Sequence, residues 1–243
     1  MSIDGQAPLP KLRSQLIATS RKLHQMGWVA NHDGNISVRL TGNRFLITCT
    51  AVSKADVDDA SLLIVDASGK VLEGRRKAFS ELDLHLAAYH VRPDVQAVVH
   101  AHPPYATATG LVGQSLDVPC MPEVVVSLGA KIPTAPRSLP RTPEAVASVS
   151  SLCLEHDAML LAGNGALTLG DDLSQAYLRM ELVEHFARIV SLARSLGGIA
   201  PLSPGELEKL LAARTKAGLG PAARAAAVSN QTLESVKAHA GRR

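Results

Sequence analysis

Residues 95–104 read Val95-Gln96-Ala97-Val98-Val99-His100-Ala101-His102-Pro103-Pro104. The alternation predicts a strand from Val95 to His102, ended by prolines that cannot continue a ladder. In a strand, residues two apart project to the same face, so the imidazoles of His100 and His102 converge. Convergent imidazoles suit Zn²⁺ or a similar divalent ion, although paired strand histidines also occur without metal. Taken alone, the pair leaves both readings open.

Working upstream, Ser80 to Val91 reads as a helix closed by Pro93, with Ser80 as its cap and Asp83 completing a capping box. Glu81 lies in the first turn, where a carboxylate is favoured by the helix dipole. The strand from Val95 is the next element, which brings Glu81 within reach of His100 and His102; the alternative is a carboxylate that only stabilises the helix start. His85, four residues on, shares that helix face as a partner of the site or as a core histidine with one backbone contact. Asp33-Gly34-Asn35-Ile36-Ser37 precedes a strand, with Gly34 free for a tight turn and Asn35 able to present its amide to an anion. Thr48-Cys49-Thr50 ends another strand, with hydroxyls placed to contact a phosphate or simply to make a turn.

The remaining chain supplies a layered fold. Lys11 to Met26 has helical spacing of Leu12, Leu16, Ile17, Leu23 and Met26, and Gly27 stops it. Strand pairs follow at Ile36–Leu40 with Arg44–Thr48, and at Leu62–Val65 with Lys70–Leu72. After Tyr105–Leu111, a short helix, the proline-punctuated stretch Pro119–Pro140 reads as loops with one short strand. A helix over Thr142–Glu155, strands over Ala158–Leu161 and Ala166–Leu169, and a long helix from Asp172 to Leu196 come next. Ser203-Pro204-Gly205-Glu206 starts one more helix. The order predicts an α/β fold with a mostly antiparallel sheet covered by helices. Residues 1–218 form the domain on this reading, and 219–243 an Ala/Arg-rich tail with a weak helical stretch.

The formal charge of +3 is small, and the run Arg75-Arg76-Lys77 reads as solvated surface rather than a nucleic-acid stripe. No apolar run is long enough to span a membrane. Cys49, Cys120 and Cys153 are odd in number and widely spaced, and Met1 to Pro10 lacks a signal pattern; both fit a cytoplasmic protein.

Several motifs in order now carry a resemblance. Gly34-Asn35-Ile36-Ser37-Val38-Arg39, Leu46-Ile47-Thr48-Cys49-Thr50, Ser80-Glu81 and Val98-Val99-His100-Ala101-His102-Pro103-Pro104 resemble the class II aldolase/adducin family from about Lys11 to Arg214. Glu81 precedes His100 by 19 residues, as in the fuculose-phosphate aldolase branch. The resemblance implies a three-layer α/β/α fold and a C4 homotetramer with sites between subunits. It implies that His100, His102 and Glu81 hold Zn²⁺, or Mn²⁺ or Co²⁺, and that Glu81 transfers the proton. Asn35, Thr48, Thr50 and Ser80 fall at its substrate- or phosphate-binding positions. The implied chemistry is Lewis-acid stabilisation of an enediolate while a carbon–carbon bond breaks or forms. Related epimerases carry aspartate where this chain has Glu81, which favours aldolase-like chemistry.

Three positions depart from the family pattern. Asn164, in Gly163-Asn164-Gly165, stands where the family has a third metal histidine; its amide oxygen is the poorer ligand, so affinity falls, the ion preference shifts, or a water fills the place. Ala51 replaces a glycine and Phe79 a serine of the phosphate pocket, which favours an unphosphorylated or aromatic acid substrate over a sugar phosphate. Met121 occupies the position of a proton-donating tyrosine, with Glu123 nearby as a substitute or a structural residue. The leading expectation is a divalent-metal-dependent lyase acting on a small sugar or hydroxy-carbonyl compound. The altered phosphate pocket leaves room for a hydroxy-acid decarboxylase on the same fold, and the lost histidine for a non-catalytic adducin-like binding protein.

Overall fold

The computed structural model describes residues 7–227. Its centre is an eight-stranded sheet in the order β4-β3-β2-β1-β5-β8-β7-β6. These strands are β1 (Asn35–Leu40), β2 (Arg44–Thr48), β3 (Leu62–Asp66), β4 (Val71–Glu73), β5 (Ala97–Ala101), β6 (Thr134–Ala135), β7 (Ala158–Leu161) and β8 (Ala166–Gly170). Every pairing is antiparallel except β6 with β7. The expected three-layer, mostly antiparallel α/β/α architecture is what the chain adopts.

Strand alternation sorts the side chains into two cores. On one face, Ile36, Val38, Ala97 and Val99 pack with Leu12, Leu16 and Leu23 of α1 (Leu9–Gln25) and with Met180, Val183 and Phe186 of α6 (Leu173–Ser195). On the other, Val98, Met159 and Leu167 pack with Leu84 and Tyr89 of α2 (Leu82–Val91) and Val149 of α5 (Pro143–Glu155). His100 follows Val98 at strand spacing and therefore lies on the α2 face. That parity is what directs it toward Glu81.

Two expectations fail in detail. Ser80 and Asp83 make no capping box: α2 begins at Leu82, Glu81 takes the N-cap position, and no side chain caps the helix. The Ser80 hydroxyl is instead spent on the Glu81 carboxylate, at 2.7 Å. The stretch read as loops contains a helix, α4 (Pro122–Leu128), besides its short strand β6. Its Val124, Val125 and Leu128 are buried, so tertiary burial overrides the weak helix propensity of a valine run. The helix over Pro104–Leu111 (α3) and the start of α7 (Pro204–Lys216) at a Ser203–Glu206 capping box follow the sequence reading.

Beyond α7 the chain turns back on the domain. Residues 220–227 are helical, and Arg224 donates to the Leu154 carbonyl at 2.9 Å and reaches Asp157 at 3.2 Å. Most of the expected tail, residues 228–243, lies outside the described residues.

Candidate active site

The register between β1 and β5 sets Asn35 opposite His100. Gly34 permits the approach, because a Cβ there would sit 3.1 Å from the His100 carbonyl oxygen and 2.5 Å from Val29. Its φ of 68° is also in the left-handed region that favours glycine. The turn into β8 closes in the same way: a Cβ on Gly165 would lie 2.2 Å from the Ala101 oxygen and 2.5 Å from His102 Cδ2.

The two histidines face one another, with Nε2 atoms 3.2 Å apart. His100 Nδ1 is 3.0 Å from the Ala166 carbonyl, which can only accept, so this nitrogen carries the proton. His102 Nδ1 lies 3.3 Å from the Asp33 carboxylate and is likewise placed to donate. The two Nε2 atoms therefore point at one another. Burial and then His102 push His100 down to about 4. A divalent cation between the rings would take both nitrogens as donors. Two imidazoles at about 2.0–2.1 Å from a tetrahedral Zn²⁺ have nitrogens about 3.3–3.4 Å apart, close to the spacing present.

Glu81 stands beside this pair with its Oε2 held by the Ser80 hydroxyl at 2.7 Å and the Asn35 amide at 3.4 Å. Burial raises its carboxyl, but His100, Ser80 and His102 together outweigh burial and leave it below the ordinary value. Among the described residues no three His, Cys, Asp or Glu side chains close on one point. The carboxylate is turned to Ser80 and Asn35.

Under the site, β1 and α2 form a polar seam. Ser37 is 2.7 Å from His85 Nδ1 and 2.9 Å from the Tyr89 hydroxyl, and all three are buried. His85 thus meets a side chain, not the backbone partner its helix position suggested. Its Nε2 and the Asn35 Oδ1 are buried without a partner among the described residues. The remaining sequence candidates sit at the margins. Thr48 is buried and accepts from the Ile36 amide at 3.2 Å, whereas Thr50 is half-buried in the following turn. Asn164 occupies the turn before β8 and lines a small cavity with Leu84, Pro136 and Ser138. Glu123 is exposed in the first turn of α4.

Ala51 adopts φ 59°, the left-handed conformation a glycine would hold without strain. The backbone path of the turn is kept at a cost in strain. Ala51→Gly is expected to raise stability by about 0.5–1 kcal/mol. Urea unfolding reads this directly, and a variant no more stable than the parent would remove strain from the account.

Sequence reasoning missed Asp33, although its neighbour Gly34 marked the turn. It also passed over Lys54, which is 1% exposed beneath the Thr50 turn. The signal for Lys54 was absent, since a lone lysine among polar turn residues reads as surface.

Comparison with known proteins points to one family. Residues 14–191 match the family described as Class II Aldolase and Adducin N-terminal domain. An L-fuculose phosphate aldolase of Methanococcus maripaludis is 32% identical, with 75% of this chain and 98% of the relative covered. A 3-oxo-tetronate 4-phosphate decarboxylase of Escherichia coli is 30% identical, covering 82% and 94% respectively. Among solved structures, an L-fuculose 1-phosphate aldolase superposes with a TM-score of 0.77 at 27% identity, over 84% of this chain and 96% of its own.

Proposed function

This chain belongs to the class II aldolase and adducin family, and from that premise we propose a lyase whose metal site is His100, His102 and Glu81. The substrate we infer is a small phosphorylated hydroxy-carbonyl compound, cleaved or formed at one carbon–carbon bond. The observation that carries the reading is the opposed pair of Nε2 atoms 3.2 Å apart, with the far side of each ring held by the Ala166 carbonyl or the Asp33 carboxylate.

A divalent ion at these residues supplies Lewis-acid polarisation of a carbonyl oxygen. Everything else is the work of the chain. His100 and His102 are oriented by Ala166 and Asp33, the outer partners that fix tautomer and direction. Glu81 carries a proton to or from the carbon beside the carbonyl, and Ser80 and Asn35 aim its carboxylate. Asn164 contributes at most an amide oxygen where an imidazole would bind more tightly, so we infer an ion held by fewer strong donors. Zn²⁺ suits imidazole and carboxylate donors best, with Mn²⁺ and Co²⁺ as substitutes.

We infer a homotetramer with sites between subunits; exposed Leu154, Leu178 and Leu192 on α5 and α6 support an apolar contact. Free Cys49, Cys120 and Cys153 support a reducing compartment such as the cytoplasm. Among the described residues no helix is long and apolar enough to cross a membrane.

A second reading, decarboxylation, is favoured by the relatives of that name and by Phe79 in place of a pocket hydroxyl. Metal-loaded protein offered ketose 1-phosphates is expected to release an aldehyde. The same protein offered 3-oxo acid phosphates would release CO₂ if the second reading holds. Turnover of neither class, by protein that binds the ion, would sink both.

A further inference from the structure

Helix α3 begins on two prolines, directly after His102. A helix start leaves four backbone amides without an intrahelical acceptor, and Pro103 and Pro104 have no N–H to leave. The N-cap, being proline, also supplies no side-chain acceptor. The two amides that remain, those of Tyr105 and Ala106, both donate to the Glu184 carboxylate on α6. One oxygen takes Tyr105 at 3.1 Å and the other takes Ala106 at 2.9 Å. Glu184 is 8% exposed, and the Arg188 charge faces it from one turn along α6. Arg188 also lies over the Tyr105 ring, 5.8 Å from its centre.

The backbone of His102 is tied to the same helix by a second route. Its amide donates to the Trp28 carbonyl at 2.8 Å, and the Trp28 ring stacks on Tyr177 of α6 with centroids 5.9 Å apart. Tyr177 and Glu184 stand two helical turns apart and so share one face of α6. Ala106 is buried in the core that α6 covers. Helix α6 is therefore the common reference for His102 and for the chain that leaves it. That reference matters, because the two Nε2 atoms stand 3.2 Å apart and a functional site needs its groups held to within about 0.5 Å.

We propose that Glu184 is a positioning residue of the metal site, fixing His102 through the first two free amides of α3. This rests on the lyase reading above, in which His102 is a ligand. Glu184 acts through the backbone of Pro103 to Ala106 and not by contact with the ion. Without its carboxylate, two N–H groups at the buried helix start lose their acceptor. The start of α3 then shifts to find water or another oxygen, and His102 moves with it. The negative charge contributes as well, since a carboxylate at a helix N-terminus is favoured by the dipole.

Glu184→Ala and Glu184→Gln test this beside a control, Ser203→Ala, which uncaps α7. Calorimetric titration with Zn²⁺ is expected to show Glu184→Ala weakened about tenfold, the lower end of what losing an outer partner costs. Glu184→Gln keeps one acceptor oxygen, so its loss should be about threefold on the same scale. The visible absorption of bound Co²⁺ should shift in Glu184→Ala, because the donor geometry has changed. In the metal-free protein, the Tyr105 and Ala106 amides should exchange with D₂O faster than in the parent. Ser203→Ala should lower the urea midpoint yet leave Zn²⁺ affinity and the Co²⁺ spectrum as in the parent. Should Glu184→Ala fail to fold, Glu184→Gln must still weaken Zn²⁺ and speed exchange at one of the two amides. Parent-like Zn²⁺ binding by the folded Glu184 variants, unchanged amide exchange, or an equal loss in Ser203→Ala overturns the proposal. Zn²⁺ binding by the parent that His100→Ala abolishes shows the metal site standing, so failure here is distinct from failure of the lyase reading. A parent that binds no Zn²⁺ sinks both.

Discussion

Asp157→Ala is expected to destabilise the protein by about 3–5 kcal/mol, the usual cost of removing one partner from a buried charge network. The Asp157 carboxylate is 1% exposed and lies 2.9 Å from Arg92, 2.8 Å from Arg214, 3.2 Å from Arg224 and 3.5 Å from Arg179. Those guanidiniums also hold carbonyls of Cys153, Leu154, Val126 and Leu169, so one carboxylate binds α2, α4, α5, α6 and the C-terminal segment together. Removing it leaves Arg179, Arg214 and Arg224 without this counter-charge, while Arg92 keeps only Asp94. In urea the midpoint should fall by roughly 1–2 M with little change in slope. A loss below about 1 kcal/mol would mean that the carbonyls alone satisfy the arginines.

The same network gives stability a pH dependence of known sign. Burial raises the Asp157 carboxyl, but Arg179, Arg92 and Arg224 outweigh it and hold it below its ordinary 3.8. A carboxyl depressed on folding contributes fully above its unfolded value and is lost as pH falls through the folded one. The parent and Asp157→Ala should therefore converge in stability only below about pH 4.

How much of this was legible depended on the range of the interaction. The HxH pair was readable because strand alternation is local, and the β1–β5 register then delivered Asn35 and Glu81 to it. The sequence cap at Ser80 was not realised because its hydroxyl had a stronger partner one residue away, the Glu81 carboxylate. Helix α4 escaped notice since nothing local announces that Val124 and Val125 will be buried. Arg92, Arg179, Arg214 and Arg224 look unremarkable where they stand in the chain, and only folding makes them neighbours of Asp157. Arg75-Arg76-Lys77, read as solvated charge, is indeed exposed; its place beside the Thr50 turn comes from the Cys49–Ala78 bridge, a non-local pairing.

The proposed metal centre gives the other large effect. His100→Ala is expected to lower affinity for Zn²⁺ by more than about 100-fold, since outer-partner losses alone typically cost 10–100-fold. It should also remove lyase turnover. The reason is geometric: with His100 gone, His102 and Glu81 remain as the strong donors, and Asn164 has no imidazole to offer. Asp33→Asn provides the graded companion. It keeps the shape beside His102 Nδ1 but removes the charge 3.3 Å away, so affinity should fall by about 10–100-fold without loss of fold. Asn164→His tests the reverse direction, because an imidazole in that turn would add a donor and should tighten Zn²⁺ about tenfold or more. Metal content after dialysis, with calorimetric titration of the stripped proteins, reads all three. The ordering Asn164→His tighter than parent, parent tighter than Asp33→Asn, and Asp33→Asn tighter than His100→Ala follows from donor number and orientation alone. Equal affinities for the parent and His100→Ala would move the metal away from these histidines and with it the proposed mechanism.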